Sequence, residues 1–272
     1  MYLSCLLVDV GTNPDRPRPG RLWLRNVYRV HQRLCMAFPD ACSPGADDDD
    51  DADVHAERSP TAGFLFRIDH GVDHTGGWPE DGPREAARRS PVVLVHSAKK
   101  PDWDSAFGLD SGGRDPLTGK PIGNAGHLLA APPQVKVLSP SFEPGQTLRF
   151  RLTANPTRRL ANGPFAGQRV SVGRDPAAIL GWLARRAAGG GFEMVFEKDK
   201  NGWDPRWRIT TGMVRAWKGG EADCEKTKMS FASATIEGVL RVTDPAAFVK
   251  TLQAGIGPGK AFGFGLLSVA PA

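Results

Sequence analysis

The chain has 272 residues, of which 40% are hydrophobic and 24% charged, and its net charge is +5. This length allows two domains of ordinary size, and the composition is that of a globular protein. No run of about 18 apolar residues occurs, which excludes a membrane-spanning helix. The four cysteines show neither a CxxC pair nor a zinc-ligand spacing, so we expect reduced thiols in a cytoplasmic protein.

Outside one acidic segment, the chain is more basic than its net charge suggests. Six aspartates lie between Asp47 and Asp53, and the rest of the chain therefore carries +11. A basic protein with one separate acidic segment suits a polyanionic partner such as a nucleic acid.

Residues 2–8 predict a buried first strand, and the acid at Asp9 argues against a signal peptide. Residues 11–20 are rich in Pro, Arg and Gly and predict irregular structure. Asn26 is a candidate N-cap for a helix that runs to about Phe38. Apolar residues recur in this helix at helical spacing and should face the core. They are Val27, Val30, Leu34, Ala37 and Phe38.

The rest of the first half alternates strands and loops. Residues 39–61 hold the aspartate run and predict a long flexible loop. Residues 63–69 and 91–97 predict strands, residues 99–124 predict irregular structure, and residues 135–138 predict a strand that closes the first sheet.

The second half repeats this order. Strands are predicted at residues 146–154, 192–196, 229–242 and 266–269. Asp175 and Asp244 each precede a proline and should cap helices that run to Ala188 and Ala254. We therefore predict an α+β protein with two tandem ferredoxin-like (βαββαβ, RRM-like) domains, at residues 1–140 and 141–272.

Tyr28 and His31 are three residues apart on the first predicted helix, so their side chains are neighbours. They lie near the helix N-terminus, which favours an anion such as phosphate, and Arg25, Arg29 and Arg33 add positive charge. Because histidine exchanges a proton near neutral pH, this pair could catalyse acid–base chemistry on a phosphodiester. A half-buried structural histidine is the alternative.

Residues 255–265 form the densest glycine segment, in which Gly255, Gly257 and Gly259 precede Lys260. Glycines let backbone amides approach phosphate closely. A P-loop is excluded, because Ala254 and Ala261 replace its first glycine and its Ser or Thr. A purely structural turn is the alternative.

His70, Asp73 and His74 are metal-ligand types within a predicted loop. No further acidic or histidine cluster lies nearby to complete a coordination shell. We therefore expect neither a metal ion nor another cofactor.

Five segments resemble, in chain order, the motifs of the CasE family of CRISPR proteins. They are residues 27–34 (VYRVHQRL), 101–103 (PDW), 150–156 (FRLTANP), 238–245 (GVLRVTDP) and 255–268 (GIGPGKAFGFGLLS). The resemblance implies a metal-independent endoribonuclease that cuts CRISPR repeat RNA 3′ of its stem-loop and leaves a 2′,3′-cyclic phosphate. It also implies that the product stays bound and that the protein is a subunit of the type I-E Cascade complex.

The resemblance assigns His31 as general acid or base and Tyr28 as its partner. Some relatives carry a lysine about one turn later, where this chain has Cys35 and Met36. A third catalytic cation would therefore come from elsewhere, such as Arg29 or Arg33. RNA binding is expected from basic residues of the second domain and from the glycine segment. The basic residues are Arg158, Arg159, Arg169, Arg174 and Lys260.

Two other hypotheses remain open at this point. One is an RNA-binding Cascade subunit that has lost cleavage. The other is a metal-dependent phosphohydrolase that uses His70, Asp73 and His74.

Overall fold

The computed structural model describes residues 1–11, 19–38, 63–70, 90–108, 128–197, 204–218 and 228–272. The predicted loop at residues 39–61, with its aspartates, lies outside these residues. Contacts divide the chain into two compact units, of which the first ends at Leu138 and the second contains Ser139–Ala272.

The first unit contains a four-stranded antiparallel sheet. Its strands are β1 (Tyr2–Leu7), β2 (Phe64–Asp69), β3 (Val92–Ser97) and β4 (Gln134–Val137), in the order β2-β3-β1-β4. All four were predicted, and β4 closes the sheet beside β1 as expected. The apolar side chains of β1, β2 and β3 form the core of this unit, where Leu6, Phe66 and Val95 are fully buried.

The main helix of the first unit is α2 (Val27–Cys35), which begins at the predicted N-cap. The side chain of Asn26 accepts a hydrogen bond from the backbone N–H of Tyr28, at 3.1 Å. All five residues predicted to face the core are buried. The helix ends at Cys35 and not at Phe38, because Met36, Ala37 and Phe38 each bond to the carbonyl three residues earlier.

Two short helices were not predicted. The first overlaps residues 11–20, which were predicted to be irregular, only at Pro19 and Gly20, and the second lies within residues 99–124, which were also predicted to be irregular. Helix α1 (Pro19–Arg25) begins at a proline, which suits the first helical position, and it buries Trp23. Helix α3 (Trp103–Phe107) is capped by Asp102 and buries Trp103, whose indole N–H donates to Ser4 Oγ at 3.1 Å. Both helices were missed because buried aromatic side chains, and not local propensity, stabilise them.

The second unit contains a larger antiparallel sheet. The predicted strands are β5 (Thr147–Ala154), β8 (Phe192–Val195), β10 (Lys228–Val242) and β11 (Leu267–Pro271), in the order β11-β5-β10-β8. Strand β9 (Arg208–Trp217), which was not predicted, pairs with the first part of β10. A separate unpredicted hairpin contains β6 (Thr157–Arg159) and β7 (Arg169–Ser171).

Helices α4 (Pro176–Gly189) and α5 (Pro245–Ala254) complete the second unit. Each begins with the predicted Asp-Pro pair, and each aspartate accepts hydrogen bonds from two backbone N–H groups of the first turn. Trp182, Leu183 and Phe248 from these helices pack into the core. Both units are therefore α+β with antiparallel sheets. No helix in the described part of the chain is long and apolar enough to cross a membrane.

Candidate functional site

Tyr28 and His31 lie on α2, one turn apart, and both side chains are half-buried. The cap at Asn26 fixes where the helix begins, and the buried Val27, Val30 and Leu34 fix which face is turned to the core. The two candidate catalytic side chains are therefore held beside the buried face of the helix, and they are neighbours as the sequence predicted.

The imidazole of His31 packs against two aromatic side chains of β2. Its ring is nearly parallel to that of Phe66, at 16° and 6.2 Å between centroids, and inclined by 34° to Phe64 at 5.6 Å. Its Nδ1 atom is buried, and its Nε2 atom lies 3.6 Å from the Sγ atom of Cys35. Of the two ring nitrogens, Nε2 is therefore the one that faces the thiol of Cys35.

The three arginines of this region have different surroundings. Arg25 and Arg29 are exposed, whereas Arg33 is half-buried and donates a hydrogen bond to the backbone carbonyl of Ala106 at 3.0 Å. Arg33 thus links α2 to α3, and this structural contact competes with a role in RNA binding. The predicted RNA contacts of all three arginines stay predictions.

The second unit contains an open cleft of about 320 Å³ between the β6–β7 hairpin and α4. Five arginines, Trp182 and Thr157 line this arginine cleft, and none of the lining residues is acidic. The arginines are Arg158, Arg159, Arg169, Arg185 and Arg186. A concave surface with this concentration of guanidinium groups attracts anions such as phosphates.

Three of these arginines were predicted, and the hairpin register explains why they meet. Arg159 pairs with Arg169, and Arg158 pairs with Val170. Arg174 is exposed and is not among the residues that line the cleft.

Arg185 and Arg186 were not identified from the sequence. They lie three and four residues after Trp182, so all three share one face of α4. That spacing is visible in the sequence, but it becomes informative only when the hairpin is known to lie opposite.

The glycine segment has a clear packing role. Gly257 has a φ of +83°, and a Cβ atom there would lie 2.8 Å from the ring of Trp182. Gly259 also has a positive φ and lies against Phe264, while Lys260 is exposed at the start of a 3₁₀ turn. The structural interpretation thus accounts for Gly257 and Gly259, and contact between this segment and RNA stays a prediction.

The structure gives no support to the metal hypothesis within its described residues, where no group of three potential ligands occurs. His70 is exposed just after β2, and Asp73 and His74 lie outside the described residues. Cys5 and Cys35 form no disulfide, and Cys42 and Cys224 also lie outside.

Comparison with known proteins identifies the class. Residues 1–271 match the family model described as CRISPR associated protein. The chain is 40% identical, over the full length of both proteins, to the CRISPR-associated endoribonuclease Cse3 of Thermus thermophilus. It is 24% identical, again over both full lengths, to the CRISPR system Cascade subunit CasE of Escherichia coli K12.

Solved structures of Cse3 are also similar to this chain over all or nearly all of its length. The structure of Cse3 bound to a 19-nucleotide RNA aligns over the whole of both chains, with a TM-score of 0.64 and 31% identity. Thermus thermophilus Cse3 bound to an RNA representing a pre-cleavage complex aligns over 99% of this chain and 98% of that one, with a TM-score of 0.63 and 30% identity. The chain belongs to the CRISPR associated protein family, as a CasE member, and the resemblance drawn from its motifs is confirmed.

Proposed function

We propose that this chain is an endoribonuclease that cuts CRISPR repeat RNA 3′ of its stem-loop. In this proposal it needs no metal ion or other cofactor, leaves a 2′,3′-cyclic phosphate, and stays bound to the product as a subunit of Cascade. A cytoplasmic location accompanies this function.

The observation that carries the proposal is the end-to-end similarity, at 40% identity, to a protein named as a CRISPR-associated endoribonuclease. The matched structures contain RNA, one of them as a pre-cleavage complex. The Tyr28/His31 pair gives this chain side chains that can transfer protons, which a non-cleaving RNA-binding subunit would not need.

The proposed reaction is an internal transesterification. The 2′-oxygen of the RNA attacks the adjacent phosphorus, a new O–P bond forms, and the bond from phosphorus to the 5′-oxygen breaks. The 2′-hydroxyl loses a proton and the 5′-oxygen gains one, so atoms and charge balance. His31 transfers protons through Nε2, and Tyr28 is its partner in acid–base catalysis, which is worth roughly 10²- to 10⁴-fold in rate.

The strand orders support the finer fold assignment. The four strands of each main sheet, without the added β9, can be numbered in chain order. Both sheets then have the strand order 4-1-3-2. This arrangement suits the βαββαβ pattern of a ferredoxin-like domain. We therefore propose two tandem ferredoxin-like domains, with Tyr28 and His31 in residues 1–140 and stem-loop binding in residues 141–272.

The arginine cleft supports RNA binding by the second unit. A-form RNA is recognised mainly through its shape and its backbone, and guanidinium groups bind phosphates through paired hydrogen bonds. Arg158, Arg159 and Arg169 are the predicted contacts, and Arg185 and Arg186 now join them. Arg174, Lys260 and the glycine segment would extend the same surface.

The test is cleavage of a labelled repeat RNA in the presence of EDTA, with RNA binding followed in parallel. Wild type should cut at one site, and His31→Ala should bind the RNA but barely cut it. Loss of wild-type cleavage in EDTA would indicate a metal-dependent mechanism and contradict the proposal. Normal binding without any cleavage by wild type would favour the non-cleaving Cascade subunit.

A further inference from the structure

The thiol of Cys35 lies against the candidate catalytic imidazole. Its Sγ atom is 3.6 Å from Nε2 of His31, one turn further along α2. We propose that Cys35 is a positioning residue that holds the Nε2 edge of His31 in its working orientation. This inference rests on the proposed function, in which Nε2 transfers the proton.

The aromatic rings beside His31 pack against its imidazole but do not distinguish its nitrogen atoms from its carbon atoms. Phe66 lies nearly parallel to the imidazole at 6.2 Å between centroids, and Phe64 is inclined to it by 34° at 5.6 Å. A half-turn about the Cβ–Cγ bond would keep the ring in the same plane. It would, however, exchange each nitrogen for a carbon, and such terminal torsions have a broad, roughly two-fold preference.

The contact with Cys35 distinguishes these two orientations. In the observed one a nitrogen faces the thiol, whereas after the half-turn a C–H group would take that place. In the observed orientation Nδ1 is buried and Nε2 is the nitrogen beside the thiol, so the contact with Cys35 favours the orientation in which Nε2 takes this place.

A thiol suits an imidazole that changes protonation state during a reaction. The S–H group can donate to Nε2 when that nitrogen carries no proton, and the sulfur can accept from Nε2–H when it does. Because a thiol is weak in both roles, an RNA oxygen can replace it at Nε2 at little cost. Cys35 is half-buried and helix-bound, so its own position is well defined.

The experiment compares single-turnover cleavage of a labelled repeat RNA, at saturating protein, by wild type, Cys35→Ala and Cys35→Ser. Alanine removes the polar contact and has the higher helix propensity, so α2 should remain folded. We expect Cys35→Ala to cut about 3- to 10-fold more slowly, the effect of losing one modest hydrogen bond. Its RNA Kd and melting temperature should be unchanged.

Serine is the conservative variant, because a hydroxyl also donates and accepts. Cys35→Ser should cut within about twofold of wild type. Cys5→Ala is the matched control, since Cys5 is another half-buried thiol of the same unit but lies on β1. It should cut at the wild-type rate.

Cleavage by Cys35→Ala at the wild-type rate, with His31→Ala inactive, would overturn this inference and leave the proposed function standing. Equal slowing of the Ala and Ser variants, together with weaker RNA binding or a lower melting temperature, would indicate a packing role and would also overturn it. Normal cleavage by His31→Ala would instead overturn the proposed catalytic assignment, and the inference with it.

Discussion

Asp204 and Arg206 form an ion pair with a buried carboxylate at the turn before β9. The carboxylate accepts hydrogen bonds from the backbone N–H groups of Glu197 and Arg206, at 2.7 and 3.0 Å, and from the guanidinium of Arg206 at 2.6 Å. These contacts, above all that with the Arg206 side chain, hold the pKa of Asp204 well below its usual range. In the unfolded chain the carboxyl returns to a pKa of about 3.9.

Asp204→Asn should therefore destabilise the protein in a pH-dependent way. The ionised carboxylate of Asp204 contributes its full stabilisation above about pH 4, the pKa of the unfolded chain. This contribution declines as the pH falls towards the lower pKa of the folded state. Urea denaturation at pH 7 and pH 3 should show a gap between wild type and variant that narrows at pH 3. A gap of equal size at both values would contradict the ionic explanation.

Gly257 provides a second test at the residue scale, because Gly145 is a matched control. The two glycines have φ values of +83° and +82°, but a Cβ atom at Gly145 would meet nothing within 4 Å. Gly145→Ala should cost about 1–2 kcal/mol from backbone strain. Gly257→Ala should cost a further 1–3 kcal/mol or so, because its methyl group meets the Trp182 ring. Equal losses in urea denaturation would contradict a packing role.

At the scale of elements, the arginine cleft combines a hairpin with one face of α4. Arg185→Ala should weaken RNA binding and make the salt dependence of log K shallower by roughly 0.7–0.9, the range for one phosphate contact in single-stranded and duplex nucleic acid. The effect should be nearly independent of RNA sequence. Arg241→Ala is the control, since Arg241 is paired with Glu193 at 2.8 Å, and should leave the slope unchanged. An unchanged slope for Arg185→Ala would remove that residue from the interface.

The elements also show how far the sequence could predict the fold. Helix caps were predicted well, because Asn26, Asp175 and Asp244 act on the backbone of their own first turns. Strand β9 was missed because Gly212 and several polar residues obscure its pattern, and its stability comes from pairing with β10. The cleft could not be predicted as a whole, because Arg159 and Arg185 meet only through tertiary structure.

At the scale of the whole molecule, each unit has its own core. Leu34 of α2 and Leu183 of α4 are both fully buried, one in each unit. Leu34→Ala and Leu183→Ala should each cost about 2–5 kcal/mol. Amide hydrogen exchange should rise mainly in the strands of the unit that carries the substitution. An equal rise throughout both sheets would indicate a single cooperative unit.

The charge pattern of the arginine cleft has a practical consequence for handling the protein. Five guanidinium groups without an acidic neighbour in the lining will retain cellular nucleic acid when cells are lysed at low ionic strength. The first chromatographic fractions should absorb more strongly at 260 nm than the seven tryptophans can explain. A wash in about 1 M salt, where the Debye length is only about 3 Å, should release that material and restore a protein spectrum.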